Sequence, residues 1–563
     1  MKKSDIVFDS RRSTVYGTHG MVACCQPLAA QVGMDVLKNG GNAAVTFALS
    51  LVEPTSSGIG GDAFCLYYNA KTGTVKGLDG AGRTPAALTY SIACEDSMLM
   101  DKAEKDKSIH CVTVPGALAA YNDTLKHFGS KNFSLTDAML PTIEMAERGV
   151  PISQIIAMNW RTNLTSSYKK EVLSKHDWAI DGIRGPEEGD IITVPGLAKT
   201  YRQLATEGID AFYSGSIGEN IIQVLQSHGS VMTMEDLSNH SSTLFEPISM
   251  DYHGSTIWQV PPVSQGIATL MALGIIEALE EHHKVDFSKM EHNSSEYIHI
   301  VTEALRLVFS DLIHYVSDAS TTTVPVELLL NKEYLRERAK LVDLKQKNEN
   351  VQNGYPIAYG NTTYVSVVDQ QGNACSFMVF DLINAPTVPD TGISLHNRGM
   401  LFSMEKNHPN AIGPSKKPLH TLMPSMMTRK TEKGHVLEAC FGIIGGFMQH
   451  QGQVQLIMNM KHYMSNPQRI LDVPRFCLSP TKEKRFDHNN VPSRSDSIIY
   501  LEKSFAKGVA NELVSKGHIC RVLDPVSIFG RAQIIFSKID PRSGRRVLSG
   551  GSDPRADGQA IGW

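Results

Sequence analysis

Two segments of this chain read as β-hairpins, and most of what surrounds them reads as helix. Residues 63–69 and 74–79 flank the turn Ala70-Lys71-Thr72-Gly73, and residues 363–368 and 374–379 flank Asp369-Gln370-Gln371-Gly372-Asn373. In each loop the glycine can supply the positive φ that a tight connection needs. Helical period marks residues 29–37 and 43–52, which Asn39-Gly40-Gly41 separates, and then 200–207, 217–227, 266–280 and 294–315. In the last of these, Ile298, Val301, Ala304, Leu305, Val308 and Leu312 fall on one face. A further strand–helix pair is expected at 436–441 and 449–459. Hairpins with intervening helices predict helices stacked on antiparallel sheets, an α+β arrangement, and exclude a parallel doubly wound sheet.

Length and charge narrow the class. At roughly 150 residues per domain, 563 residues suggest three or four domains. With 54 basic against 58 acidic side chains the net charge is −4, which provides no global attraction to nucleic acid or anionic membrane. No run of about 18 apolar residues is present to span a bilayer. The start MKKSDIVFDSRR puts Asp5, Asp9, Ser10, Arg11 and Arg12 where a secretory leader would be apolar. Nine cysteines without metal-like or disulfide-like spacing read as reduced thiols, so the expectation is a leaderless cytoplasmic protein. The polar stretch 343–355 reads as an exposed loop.

Several common chemistries are missing: no G-x-S-x-G elbow, no G-K-[ST] phosphate loop and no H-E-x-x-H. Gly58-Ile59-Gly60-Gly61 suits a tight turn with close backbone approach, not a dinucleotide loop. His282–His283, among Glu280, Glu281 and Lys284, reads as a solvated helix end. No metal or cofactor is expected.

The segment Gly360-Asn361-Thr362-Thr363-Tyr364-Val365 is different. By itself a Thr pair opening a strand is only β-propensity. It is preceded by Gly40-Gly41-Asn42-Ala43-Ala44, Glu53-Pro54-Thr55-Ser56-Ser57-Gly58-Ile59-Gly60-Gly61-Asp62-Ala63-Phe64, Val114-Pro115-Gly116, Phe212-Tyr213-Ser214-Gly215, Glu235-Asp236-Leu237, Pro261-Pro262-Val263-Ser264-Gln265-Gly266 and Glu303-Ala304. It is followed by Pro414-Ser415-Lys416-Lys417-Pro418, Gly445-Gly446 and Ser552-Asp553-Pro554-Arg555. In this order the landmarks resemble the γ-glutamyltransferase (glutathione hydrolase) family of N-terminal-nucleophile hydrolases over nearly the whole chain.

That resemblance implies a four-layer αββα sandwich, one large domain made of two fragments, 1–361 and 362–563. Thr362 would attack the Asn361 carbonyl, and the cut would free its α-amine (pKa about 8) to serve as the base for its own hydroxyl. Gly445 and Gly446 would offer backbone N–H groups to an oxyanion, and Thr363 could hydrogen-bond the new amine. The substrate would be a small γ-glutamyl or related amide. The two fragments would stay associated; a homo-oligomer is left open.

The chain also departs from the family pattern. Arg83, in Asp79-Gly80-Ala81-Gly82-Arg83-Thr84-Pro85, stands two places later than the family's carboxylate-binding arginine, yet it still suits a carboxylate. His396-Asn397-Arg398-Gly399, His420-Thr421 in place of two serines, and Gly446-Phe447-Met448-Gln449-His450-Gln451-Gly452 resemble a branch of glutathione hydrolase-like proteins, oxamate amidohydrolases and cephalosporin acylases. Asn397, Arg398, His420 and Thr421 are therefore the pocket candidates. Phe380 occupies the place of a hydroxyl residue that supports the nucleophile, and residues 381–389 replace a glycine-rich loop. Two alternatives to a γ-glutamyl hydrolase follow: an amidohydrolase acting on another small acyl amide, and an uncleaved relative with a binding or structural role.

Overall fold

The computed structural model describes residues 12–41, 50–101, 104–131, 133–163, 178–180, 182, 184–283, 285–351, 362–380, 385–480, 497–526 and 528–563. Asn361, most of the expected helix at 43–52, the end of the 343–355 loop and residues 381–384 lie outside the described residues.

Fourteen strands build the two main sheets. In chain order they are β1 (Val15–Gly17), β2 (Met21–Cys24), β3 (Asp62–Asn69), β4 (Thr74–Asp79), β5 (Thr243–Phe245), β6 (Ile248–Tyr252) and β7 (Ser255–Gln259). They continue with β8 (Thr362–Val368), β9 (Ala374–Phe380), β10 (Ser425–Thr431), β11 (Gly434–Ile444), β12 (Arg531–Ile539), β13 (Arg546–Ser552) and β14 (Gln559–Gly562). The first sheet runs β14-β2-β8-β9-β3-β4-β5 and the second β1-β13-β12-β11-β10-β7-β6. Every pairing in both is antiparallel. Both hairpins close as expected, with Gly73 at φ +63 and Gly372 at φ +86.

Helices cover the outer faces. α1 (Pro27–Lys38), with Pro27 in its first turn and Asn39 at its C-cap, and α2 (Ala117–Phe128) lie on the first sheet. α3 (Gly266–His283), α4 (Ser295–Tyr315) and α5 (Met448–Met458) form the layer on the second. Apolar side chains accordingly fall into three strata. Val365, Val367 and Phe377 pack outward with Ala29, Val36 and Leu118. Tyr364, Met378 and Phe64 pack between the sheets against Met426, Cys440 and Ile535. Ile257, Phe441 and Ile443 pack with Leu270, Val301, Leu305 and Val454. The result is the four-layer αββα sandwich, not three or four separate domains.

The strand period of two then decides where each threonine of the pair points. Tyr364 and Val368 face the opposing sheet and Val365 and Val367 the helices, so Thr362 faces inward and Thr363 outward. Gly60 confirms the close-approach reading: a Cβ there would come within 1.8 Å of the Ser394 carbonyl oxygen. His282 and His283 are exposed, as expected.

Candidate functional site

Thr362 is the first residue of β8, third of seven strands in its sheet, and is fully buried. Its hydroxyl oxygen accepts a hydrogen bond from Gln449 Nε2 at 3.2 Å. Gln449 comes from the opposite layer, where β11 ends at Ile444, Gly445 and Gly446 turn the chain, and α5 begins at Met448. The turn needs glycine. Gly445 has φ +127 and Gly446 φ +58, and a Cβ on Gly445 would lie 2.9 Å from the Gly530 Cα. The two glycine carbonyls accept from the N–H groups of Met448 and Gln449 at 3.0 and 3.1 Å. Among the described residues, neither glycine N–H meets an acceptor.

The register of β8 with β9 sets Phe380 directly across from Thr362, so the two side chains stand side by side on the inward face. The Phe380 ring is a platform: the Arg398 guanidinium carbon sits 3.2 Å from its centroid, a cation–π contact. Arg398 is fully buried, and its Nη1 donates to Thr421 Oγ1 at 3.0 Å. Its Nε and Nη2 have no hydrogen-bond partner among the described residues. Burial pushes its pKa down to about 9, against the pull of Asp62, so it remains a cation at neutral pH. A buried cation with two N–H groups unpaired among the described residues has capacity left for an anion.

Asp62 lies at the head of β3. Its Oδ1 accepts from the Gly82 N–H at 2.9 Å and its Oδ2 from His420 Nε2 at 3.1 Å. The Leu422 N–H donates to His420 Nδ1 at 3.2 Å, which places the ring proton on Nε2. His396 approaches the same Asp62 oxygen with Nδ1 at 3.7 Å and meets Thr113 Oγ1 through Nε2 at 3.2 Å. Burial, reinforced by Arg398, pushes His420 down to about 3, and burial lowers His396 as well; both rings are neutral at pH 7. Burial works against the Asp62 carboxylate, but His396, the His420 hydrogen bond and the Gly82 N–H outweigh it and keep its pKa below the ordinary value.

The structure therefore brings Thr362, Gly445, Gly446, Arg398, His420 and Thr421 into one region. Three of the expected residues point or bond elsewhere. Thr363 points to the helix side of its sheet, and its Oγ1 is buried without a partner among the described residues; its expected bond to the amine that cleavage would free stays a proposal. Arg83 turns its guanidinium to Asp318 Oδ2 at 3.1 Å, Ser320 Oγ at 3.2 Å and the Ser415 carbonyl at 3.1 Å. Asn397 donates to the Asp106 carbonyl at 2.6 Å. Two residues that sequence reasoning did not single out, Gln449 and Asp62, complete the cluster. Gln449 also answers the puzzle of Phe380: the hydrogen bond that a hydroxyl there would make comes instead from an amide across the sandwich.

The gamma-glutamyltranspeptidase family model matches residues 29–563. The chain belongs to the gamma-glutamyltranspeptidase family. Membership makes it an enzyme of the hydrolase and transferase kind. It is 32% identical to the glutathione hydrolase-like YwrD proenzyme of Bacillus subtilis, over 98% of this chain and 99% of that one. It is 29% identical to a glutathione hydrolase proenzyme of the same organism, over 100% of this chain and 94% of that one. The solved cephalosporin acylase of Bacillus halodurans superposes with a TM-score of 0.83 at 35% identity, covering 99% of this chain and 98% of that one. Within the family, then, this chain is similar both to glutathione hydrolases and to an acylase. Among the described residues no helix is long and apolar enough to cross a membrane.

Proposed function

We propose that this gamma-glutamyltranspeptidase family member is a self-processing amide hydrolase and acyltransferase that works through a Thr362 acyl-enzyme on a small γ-glutamyl amide such as glutathione. The observation that carries this reading is the buried Thr362 hydroxyl at the head of a central strand, held by Gln449 and one strand away from an under-paired buried arginine. The two Bacillus subtilis relatives, a glutathione hydrolase-like proenzyme and a glutathione hydrolase proenzyme, support it.

Thr362 Oγ attacks the Asn361 carbonyl carbon, and the Thr362 nitrogen leaves it and takes up a proton. The resulting ester is hydrolysed by water, which yields the Asn361 carboxylate, the free hydroxyl and the free α-amine. Fragments 1–361 and 362–563 then share both sheets. In turnover the amine takes the hydroxyl proton as Oγ attacks the substrate amide. The N–H groups of Gly445 and Gly446 receive the oxyanion, each worth a few kcal/mol. The substrate amine departs with the proton, and water or an amino compound accepts the acyl group. Arg398 holds the carboxylate of the acyl moiety, with Thr421, His420 and Asp62 fixing its surroundings.

A second reading, an acylase for another carboxylate-bearing acyl amide, is favoured by the likeness to the cephalosporin acylase. A denaturing gel tests the shared premise. Purified protein resolves into bands of about 40 and 22 kDa out of 61.8 kDa, and Thr362→Ala stays whole. A wild-type chain that remains full-length after long incubation overturns the enzyme reading and leaves a folded binding protein. Hydrolysis rates for γ-glutamyl-p-nitroanilide and glutaryl-p-nitroanilide, which lacks the α-amine, separate the two substrates.

A further inference from the structure

At the β6 edge of the second sheet, three nitrogen and oxygen donors converge from three separate elements. His253 sits in the β6–β7 turn, Glu280 in the last part of α3, and His462 in the π-helical turn Asn459–Tyr463 that follows α5. One ligand atom from each lies within 4.8 Å of the other two. His253 Nε2 is 2.8 Å from Glu280 Oε2, and His462 Nδ1 is 3.9 Å from Glu280 Oε1. Bond lengths of 2.0–2.2 Å in a tetrahedral site put ligand atoms about 3.3–3.6 Å apart, and with all three donors within 4.8 Å of one another that separation needs only small side-chain rotations. His253 is 40% exposed, Glu280 16% and His462 4%, so the cluster opens to solvent on one side and is anchored on the other.

We propose that His253, Glu280 and His462 bind a divalent transition-metal ion of the zinc class, with water completing the coordination. Two imidazoles and a carboxylate form a borderline donor set that suits such an ion and not calcium or magnesium. The outer partner is in place: Tyr252 Oη lies 2.8 Å from His462 Nε2, which orients the ring and leaves Nδ1 to the metal. His253 and Gly254 hold φ +44 and +77, the positive values that a two-residue hairpin turn uses, and this fixes where the His253 side chain starts. Asp286 and Glu277 add negative charge around the cluster, and Lys461 opposes it from beside His462.

A second cluster, His299, Glu303 and His518, fails the same reasoning. There Glu303 is held by Arg306 and by the Asn348 N–H, the two rings share one proton at 2.7 Å, and Arg306, Lys347 and Lys516 make the surroundings cationic.

His253 and Glu280 precede Thr362 and His462 follows it. A bound ion would therefore join the two fragments, a consequence that rests on the cleavage proposed above, whereas binding itself does not. The test uses untagged full chain stripped with chelator and titrated with Co²⁺, then with Zn²⁺ in competition. The expected result is one Co²⁺ per chain with visible d–d bands, displaced by Zn²⁺. Glu280→Gln and His462→Gln should each weaken binding at least tenfold, while His228→Gln leaves it unchanged. Melting in chelator verifies that each variant is folded. Absence of saturable binding, equal affinity in Glu280→Gln and wild type, or a thiolate-to-cobalt charge-transfer band would each overturn the assignment. Processing on the gel is scored separately, so an uncleaved chain that binds Co²⁺ refutes the function and keeps the site.

Discussion

Replacing Arg398 with methionine removes the cation and keeps a side chain long enough to cover Phe380. Nη1 is committed to Thr421 at 3.0 Å, while Nε and Nη2 are buried and have no partner among the described residues. Two charge-assisted hydrogen bonds from those atoms to a substrate carboxylate are worth about 1.5–3 kcal/mol each. The carboxylate gives up its own hydration to reach them, so the lower part of the combined range applies, about 3–4 kcal/mol. At 1.36 kcal/mol per tenfold this is two to three powers of ten in kcat/KM. The assay compares γ-glutamyl-p-nitroanilide with its α-carboxamide analogue in wild type and variant, a cycle in which general damage to the site cancels. Wild type should prefer the carboxylate by that factor, and Arg398→Met should treat the two substrates alike. Arg398→Lys, which keeps the charge but loses the planar fork, should fall between them. A variant that still discriminates a hundredfold would refute the placement of the carboxylate.

Three further outcomes follow from the same geometry. Gln449→Leu removes a neutral hydrogen bond worth about 0.5–1.5 kcal/mol, so precursor should disappear from a gel time course about two- to tenfold more slowly. Gly445→Ala must force φ +127 on an L-residue against Gly530. It should abolish p-nitroanilide turnover to at least the 10²–10³-fold extent typical of a lost oxyanion donor, with a circular dichroism spectrum like wild type. His420 is neutral in the fold with a pKa pushed down to about 3, whereas the unfolded ring titrates near 6.5. Between those values the unfolded chain binds the extra proton, so this contribution is intact above about pH 6.5 and is lost as pH falls. His420→Asn should reduce the pH dependence of stability between pH 6.5 and 5 by up to about one proton, read from denaturant midpoints at stepped pH.

Much of this was legible beforehand, and the parts that were not share a cause. The hairpins at 62–79 and 362–380 and the helices of 266–283 and 295–315 follow from local period and turn glycines, which a sequence displays directly. Pairing across hundreds of residues leaves no such trace. Arg83 looked available for a carboxylate because Asp318, its partner, lies far away in the chain. That the Thr362 and Thr363 side chains face opposite sides of their sheet follows from the strand period once the core is known. Gln449 was hidden for another reason. α5 is buried on every side, so it has no amphipathic stripe, and its glutamines look like a solvated face. In the structure Gln451, Gln453 and Gln455 donate to the backbone carbonyls of Leu478, Met423 and Phe476, and Gln449 alone turns to Thr362. Asp62 sat in plain view within a glycine-rich run, where an aspartate usually signals a turn.

Each sheet contains strands from both sides of residue 362: β2, β3, β4 and β5 with β8, β9 and β14 in one, and β1, β6 and β7 with β10 to β13 in the other. Once the bond before Thr362 is cut, neither piece owns a sheet. Under the proposed cleavage the tether would make assembly an affair of a single molecule, and its loss would turn any later refolding into an encounter between two. Unfolding after maturation should thus be far harder to reverse than unfolding before it, and recovery should depend on protein concentration only in the cut form. Maturation, on this topology, gives the protein a memory of having folded once.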